Sequence, residues 1–228
     1  MKIIKAISGL SELALGVLLL VTPAIIVAEE APSSGFIAAS IESKMEDVKI
    51  SDDRQARRWI SADLTSANYN AIMVDRVIYY PAPNPGPQVS SSALEKIADY
   101  LTDALRRELG KDIKVVDQAA PGVLRLQPAI TAVVIKEEGL SVKDVVPVHL
   151  LFSAASAATG KMDEDVTARV EVRITDSMSR DYRAAVQTGI EGEQLKNKDD
   201  QVTPQDFQKA LDEGAQAGAA AIREALSS

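Results

Sequence analysis

The clearest pattern in the chain is a strict alternation of apolar and polar residues in its second half. Val, Ala and Ile occupy every second position of residues 166–174, while Thr, Arg and Glu fill the positions between them. Residues 182–190 alternate in the same way, and the Asp-Ser-Met-Ser sequence between the two stretches is rich in turn-forming residues. A period of two is typical of strands with one buried face. We therefore predict a β-hairpin over residues 166–190.

Three further stretches are predicted to be strands. Residues 72–80 are rich in β-branched and aromatic side chains, and they end at a proline-rich segment because proline donates no ladder hydrogen bond. Residues 113–116 form a short apolar run, and residues 122–136 alternate over their whole length. One face of this last strand is predicted to carry Leu124, Leu126, Pro128, Ile130, Ala132 and Val134.

Two stretches have the three- and four-residue apolar spacing of amphipathic helices. The first covers residues 94–109; Ser92 and Glu95 have the spacing of a capping box at its start. The second opens at Thr203, an N-cap residue followed by proline. Small residues make up most of its inward side, which allows a helix to lie close to a sheet. The inward residues are Phe207, Ala210, Leu211, Gly214, Ala217, Gly218, Ala221, Ile222 and Ala225.

The predicted elements fit an α+β fold. It is a two-layer sandwich in which a mostly antiparallel sheet is covered by two helices on one face. The other face would carry Arg169, Glu171 and Arg173, and we expect it to be wet or covered by a partner. This single α+β domain is predicted to span residues 70–228. Residues 29–69 lack a strong pattern and are predicted to form a polar N-terminal arm.

Residues 1–28 have the layout of a signal peptide. Lys2 and Lys5 give a positive start, residues 13–21 are apolar, and Ala28 ends a small-residue cleavage site. The apolar run is about half the ~20 residues that a membrane span needs. We therefore expect export to the periplasm with cleavage after Ala28, with outer-membrane association or retention of the leader as an anchor as the alternatives. The chain has no Cys, which excludes acylation at a lipobox.

Composition narrows the chemistry that the chain can carry. The 228 residues include 25 Lys and Arg against 33 Asp and Glu, and the resulting net charge of −8 argues against nucleic-acid binding. With no Cys and one His, His149, the chain has no thiol nucleophile and no zinc site of the Cys/His type. Acidic residues at 137–138 and 163–165 lack the ligand spacing of a calcium loop, so we expect a solvated acidic rim. No cofactor or metal site is predicted.

Several segments taken together resemble one protein family. They cover residues 79–90, 101–109, 121–133 and 166–177, and they include the sequences YYPAPNPGPQVS and LTDALRREL. The combination resembles the bacterial family called domain of unknown function 3313, which consists of exported lipoproteins, over about residues 70–192. The resemblance implies an envelope protein without assigned catalytic residues, so no site residues carry over. This chain departs from the lipoprotein pattern because it has no Cys to acylate. Its layout is also similar, more loosely, to periplasmic modules of envelope-assembly and transport-auxiliary lipoproteins.

The stretch between the strands predicted at residues 122–136 and 166–174 is the strongest candidate for function. Residues 139–161 interrupt the sheet, and insertions of this length in compact domains are often functional. Residues 145–152 are mostly large and apolar, while Pro147 prevents one regular helix. They pack either on the chain's own core, as a short crossover element, or against a partner or membrane. The candidate interface residues are Val148, Leu150, Leu151 and Phe152, together with Arg169 and Arg173 on the wet sheet face.

These features predict a non-enzymatic periplasmic module that binds an envelope protein or a second copy of itself. The insertion and the wet sheet face would make the contacts. Two alternatives stay open. A hydrolase would use His149 with nearby carboxylates, although a lone His in an apolar stretch is more often structural. A membrane-tethered transport-auxiliary subunit would keep the leader as its anchor.

Overall fold

A nine-stranded sheet and the helices that pack on it make up the described part of the chain. The computed structural model describes residues 33–50, 55–83, 90–136, 145–147, 165–191 and 204–227. The strands are β1 (Glu46–Lys49), β2 (Gln55–Ile60), β3 (Ala71–Val74), β4 (Ile78–Tyr79), β5 (Lys114–Val116), β6 (Val123–Lys136), β7 (Val145–Pro147), β8 (Asp165–Asp176) and β9 (Tyr182–Glu191). The α-helices are α1 (Ala39–Glu42), α2 (Ser91–Leu109) and α3 (Gln208–Ser227), and a 3-10 helix at Pro204–Phe207 precedes α3.

The fold is α+β with a mostly antiparallel sheet, as predicted. The strand order is β1-β2-β9-β8-β6-β3-β5, and β4 and β7 also pair with β6. The predicted hairpin is formed by β8 and β9, and β8 pairs along most of its length with β6 on its other side. Strand β3 is parallel to both β5 and β6, and β4 is parallel to β6. The three long strands β6, β8 and β9 therefore form the centre of the sheet.

A bulge in β6 changes the faces that the alternation predicts. The alternation holds as far as Ile130, but the next paired residue, Ala132, stands opposite Arg169. The unpaired Thr131 shifts the pleat by one residue, so Ala132 lies on the face that carries Arg169. The prediction of one apolar face continuing through Ala132 is therefore wrong, and the side chain of Val134 lies outside the described part of the chain. An apolar residue on each side of the bulge hides the change of face from the sequence pattern.

The strand predicted over residues 72–80 is divided into β3 and β4 by a three-residue break. In this break the amide of Val77 donates to Thr102 Oγ1 at 2.9 Å. The Asp75 carboxylate accepts hydrogen bonds from Arg125 at 2.9 and 3.1 Å. A side chain of α2 therefore satisfies the Val77 amide, which a neighbouring strand would otherwise satisfy.

Helix α2 agrees with the prediction except at its cap. Ser90 is the N-cap residue, and its Oγ accepts the amide of Ala93 at 3.1 Å. The capping box predicted at Ser92 and Glu95 is therefore wrong by two residues, because Ser92 already lies inside the helix. Three consecutive serines precede the apolar stripe, and spacing alone does not select the first of them as the cap.

The main hydrophobic cluster joins α2 and α3 to one side of the sheet. Its deeply buried members include Leu101, Ala104 and Leu109 of α2, Ala215 and Ala219 of α3, and Ile72, Leu124 and Leu126 of the sheet. Among the helices that the structure describes, none is long and apolar enough to cross a membrane.

The opposite side of the sheet is covered by residues 33–45, which we call the N-terminal cover. A second hydrophobic cluster forms there from Phe36, Ile37, Ile41 and Met45 of the cover and Ala129 and Ala185 of the sheet. Glu171 is only 1% exposed. The expectation of a wet outer face is therefore wrong at its centre, because the cover brings enough apolar side chains to shield it from water.

The region predicted as a polar arm, residues 29–69, contributes two strands to the sheet. β2 pairs with β9, and β1 pairs with β2, so they extend the sheet at its edge. Trp59 packs with the N-terminal cover, whereas Arg58 and Ile60 face the side of the sheet on which α3 lies. Charged residues occupy both faces of this short strand, which explains why alternation did not reveal it.

Candidate functional site

Two of the six predicted interface residues lie within the described residues. Arg169 and Arg173 are both half-buried on the outer face of β8. The Arg173 guanidinium lies 4.1 Å from the centre of the Phe36 ring, in a cation–π contact with the N-terminal cover. Burial lowers the pKa of Arg169, and the charge of Glu171 opposes that shift. Val148, Leu150, Leu151 and Phe152 lie outside the described residues, so the predicted interface stays a prediction.

An apolar cavity of about 110 Å³ lies between the helices and the sheet. Its floor is formed by β6, β8 and β9, its roof by α2 and α3, and its rim by β2 and Ile50. Sequence reasoning did not identify this site. The lining residues are Ile50, Arg58, Ile60, Leu64, Leu101, Leu105, Leu126, Pro128, Val170, Val172, Ile174, Ala184, Val186, Thr188, Gly189, Ile190, Gly214, Ala217, Gly218, Ala221, Ile222 and Ala225.

The small residues of α3 explain why space remains there. A β-carbon added at Gly218 would have its nearest neighbour, Leu105 Cδ2, at 3.9 Å. At Gly214 the same addition would bring a β-carbon to 2.9 Å from Ile190 Cδ1. Gly214 thus allows close packing against β9, as the small-residue stripe predicts, whereas Gly218 borders unfilled space. The stripe was the sequence signal for the cavity, but its pattern does not distinguish close contact from a gap.

The rim of the cavity exposes large apolar side chains to water. Ile50 is 45% exposed and Ile60 is 38% exposed. Isolated exposed isoleucines are common on protein surfaces. These two, however, line the same cavity and lead into a lining that is apolar except for a few groups. The rim and the interior therefore form one continuous apolar surface.

Arg58 is the charged residue of the lining. It is half-buried on β2, directly opposite Glu46 of β1. Within the described ranges no side-chain hydrogen bond or ion pair involves its guanidinium. Thr188 is the hydroxyl-bearing residue of the lining, and its Oγ1 donates to the carbonyl of the adjacent Gly189 at 3.5 Å. The cavity can therefore hold an apolar group, with one cation at its mouth.

The most deeply buried charge of the outer face is structural. Glu171 accepts hydrogen bonds from Thr131 Oγ1 at 2.8 Å, Ser34 Oγ at 2.9 Å and Gln187 Nε2 at 3.2 Å. Ser34 belongs to the N-terminal cover, so this carboxylate fixes the cover to the sheet. All three donors come from the protein itself, which leaves the carboxylate little capacity for a substrate.

No metal centre is found in the part of the chain that the structure describes. No group of three or more His, Asp or Glu residues among the described positions could hold a metal ion. His149, on which the hydrolase alternative depends, lies outside the described residues. Among the described residues, the apolar cavity is therefore our candidate site.

Two relatives from Escherichia coli are similar to the chain over most of its length. It is 26% identical over 182 residues to the uncharacterized lipoprotein YdcL of Escherichia coli strain K12, which covers 80% of this chain and 81% of the relative. The same values hold for the protein of that name in Escherichia coli O157:H7. These relatives have no assigned activity in their names, so the likeness concerns ancestry and not chemistry.

Solved structures resemble the chain more distantly. The PelC dodecamer from Paraburkholderia phytofirmans has a TM-score of 0.33 and 11% identity, with 76% of this chain and 97% of that chain covered. A Xanthomonas campestris protein of the family model DUF330 has a TM-score of 0.38 and 10% identity, with 70% and 87% covered. Neither likeness carries an argument about function. The family model described as protein of unknown function DUF3313 matches residues 32–217, and the chain belongs to that family.

Proposed function

We propose that this protein is a non-enzymatic module of the bacterial cell envelope that binds an aliphatic chain in the apolar cavity. The observation that carries the proposal is the cavity itself, which is lined almost wholly by apolar side chains and opens at an apolar rim. A ligand that matches this lining has to be apolar along its length. The small volume of the cavity favours a single chain over a broad ring system.

Two observations support the envelope location. The first is the signal-peptide layout of residues 1–28. The second is the name of the Escherichia coli relative, which is called a lipoprotein. Because this chain has no Cys, it differs from a Cys-acylated protein, and its place in the envelope rests on export alone.

Water is a poor occupant of this cavity. An ordered water needs two to four polar partners, and apolar cavities of comparable size stay dry. Here the lining offers Arg58 and Thr188 near the rim and hydrocarbon elsewhere. Each methylene that an aliphatic ligand buries would contribute about 0.8 kcal/mol. Five buried methylenes would contribute about 4 kcal/mol, which corresponds to a dissociation constant of roughly 1 mM.

A protein-binding role through the insertion stays a separate prediction. It depends on Val148, Leu150, Leu151 and Phe152, which lie outside the described residues. On the outer face, Arg173 is already engaged by Phe36 of the N-terminal cover. The described geometry therefore favours the cavity over the outer face as the binding site.

Titration of the purified protein with decanol, an uncharged aliphatic chain, tests the proposal. NMR chemical-shift changes should saturate and should concentrate on residues of α3 and β9. Ala221→Leu, which fills the cavity from α3, should weaken binding about tenfold or more, whereas Ala220→Leu on the exposed side of the same helix should not. Absence of saturable binding to the unmodified protein, or equal binding by the two variants, would overturn the proposal.

A further inference from the structure

We infer that the ligand of the cavity is a single-chain amphiphile with an anionic head group, which Arg58 binds at the mouth. This inference rests on the proposed function, since it concerns the head group of the chain that occupies the cavity. The juxtaposition that carries it is the Arg58 guanidinium, which pairs with no side chain among the described residues, in the lining of an apolar cavity. An aliphatic alcohol would not neutralise the charge of that cation, whereas a carboxylate or phosphate would form an ion pair with it.

The position of Arg58 follows from the register of β2. Arg58 pairs with Val186 of β9, and Ile60 pairs with Ala184, so both side chains lie on the cavity side of the sheet. Arg57 and Trp59 alternate to the other side, where Trp59 packs near the N-terminal cover. The backbone ladder therefore fixes the direction in which Arg58 points.

Arg58 is also suited chemically to an anionic head group. It is half-buried, and a partly desolvated cation gains from a counter-ion. Its planar guanidinium can donate two parallel hydrogen bonds to a carboxylate or a phosphate. Among the described residues, the acidic group placed to compete is Glu46, the cross-strand neighbour of Arg58, whose side chain is exposed and makes no hydrogen bond to it. Glu46 must therefore be included in the test.

The rim and the size of the cavity limit the ligand to one chain. Ile50 and Ile60 lie at the mouth, where they would contact the first methylenes after the head group. The interior of about 110 Å³ is smaller than the ~150 Å³ apolar cavity that accepts a single benzene molecule. The net charge of −8 also disfavours adsorption of anions elsewhere on the protein, so anion binding reports on a local site.

The experiment compares decanoate, decyl phosphate and decanol at neutral pH on five forms of the protein: the unmodified protein, three arginine variants and Glu46→Gln. The unmodified protein should bind decanoate or decyl phosphate about tenfold more tightly than decanol. Arg58→Gln should remove this preference while leaving decanol affinity unchanged, and Arg58→Lys should retain part of it. Arg180→Gln, which removes an exposed arginine from the β8–β9 turn, should behave as the unmodified protein does. The two anions separate a fatty-acid head group from a phosphate head group.

The outcomes distinguish the two proposals. If Arg58→Gln binds decanol normally and still prefers the anions, the head-group inference is wrong while the aliphatic-chain proposal survives. If the unmodified protein binds none of the three compounds, both proposals fail. Glu46→Gln should leave anion binding unchanged or make it tighter, and a loss of anion binding in this variant would also contradict the inference. Circular dichroism of each variant identifies any that is misfolded, and Arg58→Lys then replaces Arg58→Gln in the comparison.

Discussion

The two sides of the sheet are covered in different ways. On the outer side, a segment of 13 residues seals a small hydrophobic cluster and hydrogen-bonds a buried carboxylate. On the other side, two long helices build a larger cluster yet leave a cavity along α3. The larger layer is therefore the less completely filled one. The cavity exists because the residues of α3 that face the sheet are small, and not because the helices fail to cover the sheet.

The largest effect is expected from breaking the outer side at Glu171. Glu171→Ala should lower the free energy of unfolding by about 3 kcal/mol, because it leaves the buried donor of Thr131 and the half-buried donors of Ser34 and Gln187 without an acceptor. Urea denaturation measures the change. Glu213→Ala, which alters an exposed glutamate of α3, is the matched control and should change stability by less than about 0.5 kcal/mol. Equal stability of the two variants would show that the outer network contributes nothing.

A smaller difference should separate the two glycines of α3. Gly218→Ala should stabilise the protein by up to about 1 kcal/mol, because alanine favours the helix and has room there. Gly214→Ala should lose that gain, because its β-carbon would force Ile190 to move. Thermal unfolding of the two variants gives the comparison directly. If both stabilise equally, the close contact at Gly214 is not limiting.

The smallest effect concerns the pH dependence of the β8–β9 turn. Hydrogen bonds from the amides of Ser179 and Met178 and from Tyr69 hold the pKa of Asp176 below its ordinary range. A depressed folded-state pKa contributes stability at neutral pH, and this contribution is lost as the pH falls below about 4. The stability difference between the unmodified protein and Asp176→Asn should therefore shrink on acidification. A difference that stays constant between neutral and acid pH would contradict this assignment.

The sequence predicted the centre of the fold better than its edges. The β8–β9 hairpin and helix α2 have long, regular patterns that a single buried face imposes, and both are present. The bulge at Thr131 was missed because an apolar residue stands on each side of it, as it would in an unbroken alternating strand. Strand β2 was missed because Arg57 and Arg58 put a charge on each face of a six-residue strand.

The candidate site was less accessible to sequence reasoning than the fold. The stripe of glycine and alanine on α3 was visible, but it predicts close packing and an unfilled gap equally well. In the sequence, Arg58 is only one member of a charged run. The side of the sheet on which it lies depends on the pairing of β2 with β9, which is distant in sequence. Long-range pairing and local packing gaps are both set by three-dimensional contacts that periodicity does not encode.

The two outermost strands of the sheet restrict how the protein can meet a partner. β1 has four residues, three of them charged, and β5 has three residues and begins with an exposed lysine. Short, charged edge strands resist the addition of a further strand from another chain. Binding of a partner by addition of its strand to either of these edges is therefore disfavoured. Recognition would instead depend on side chains, and concentrated protein should resist edge-to-edge aggregation.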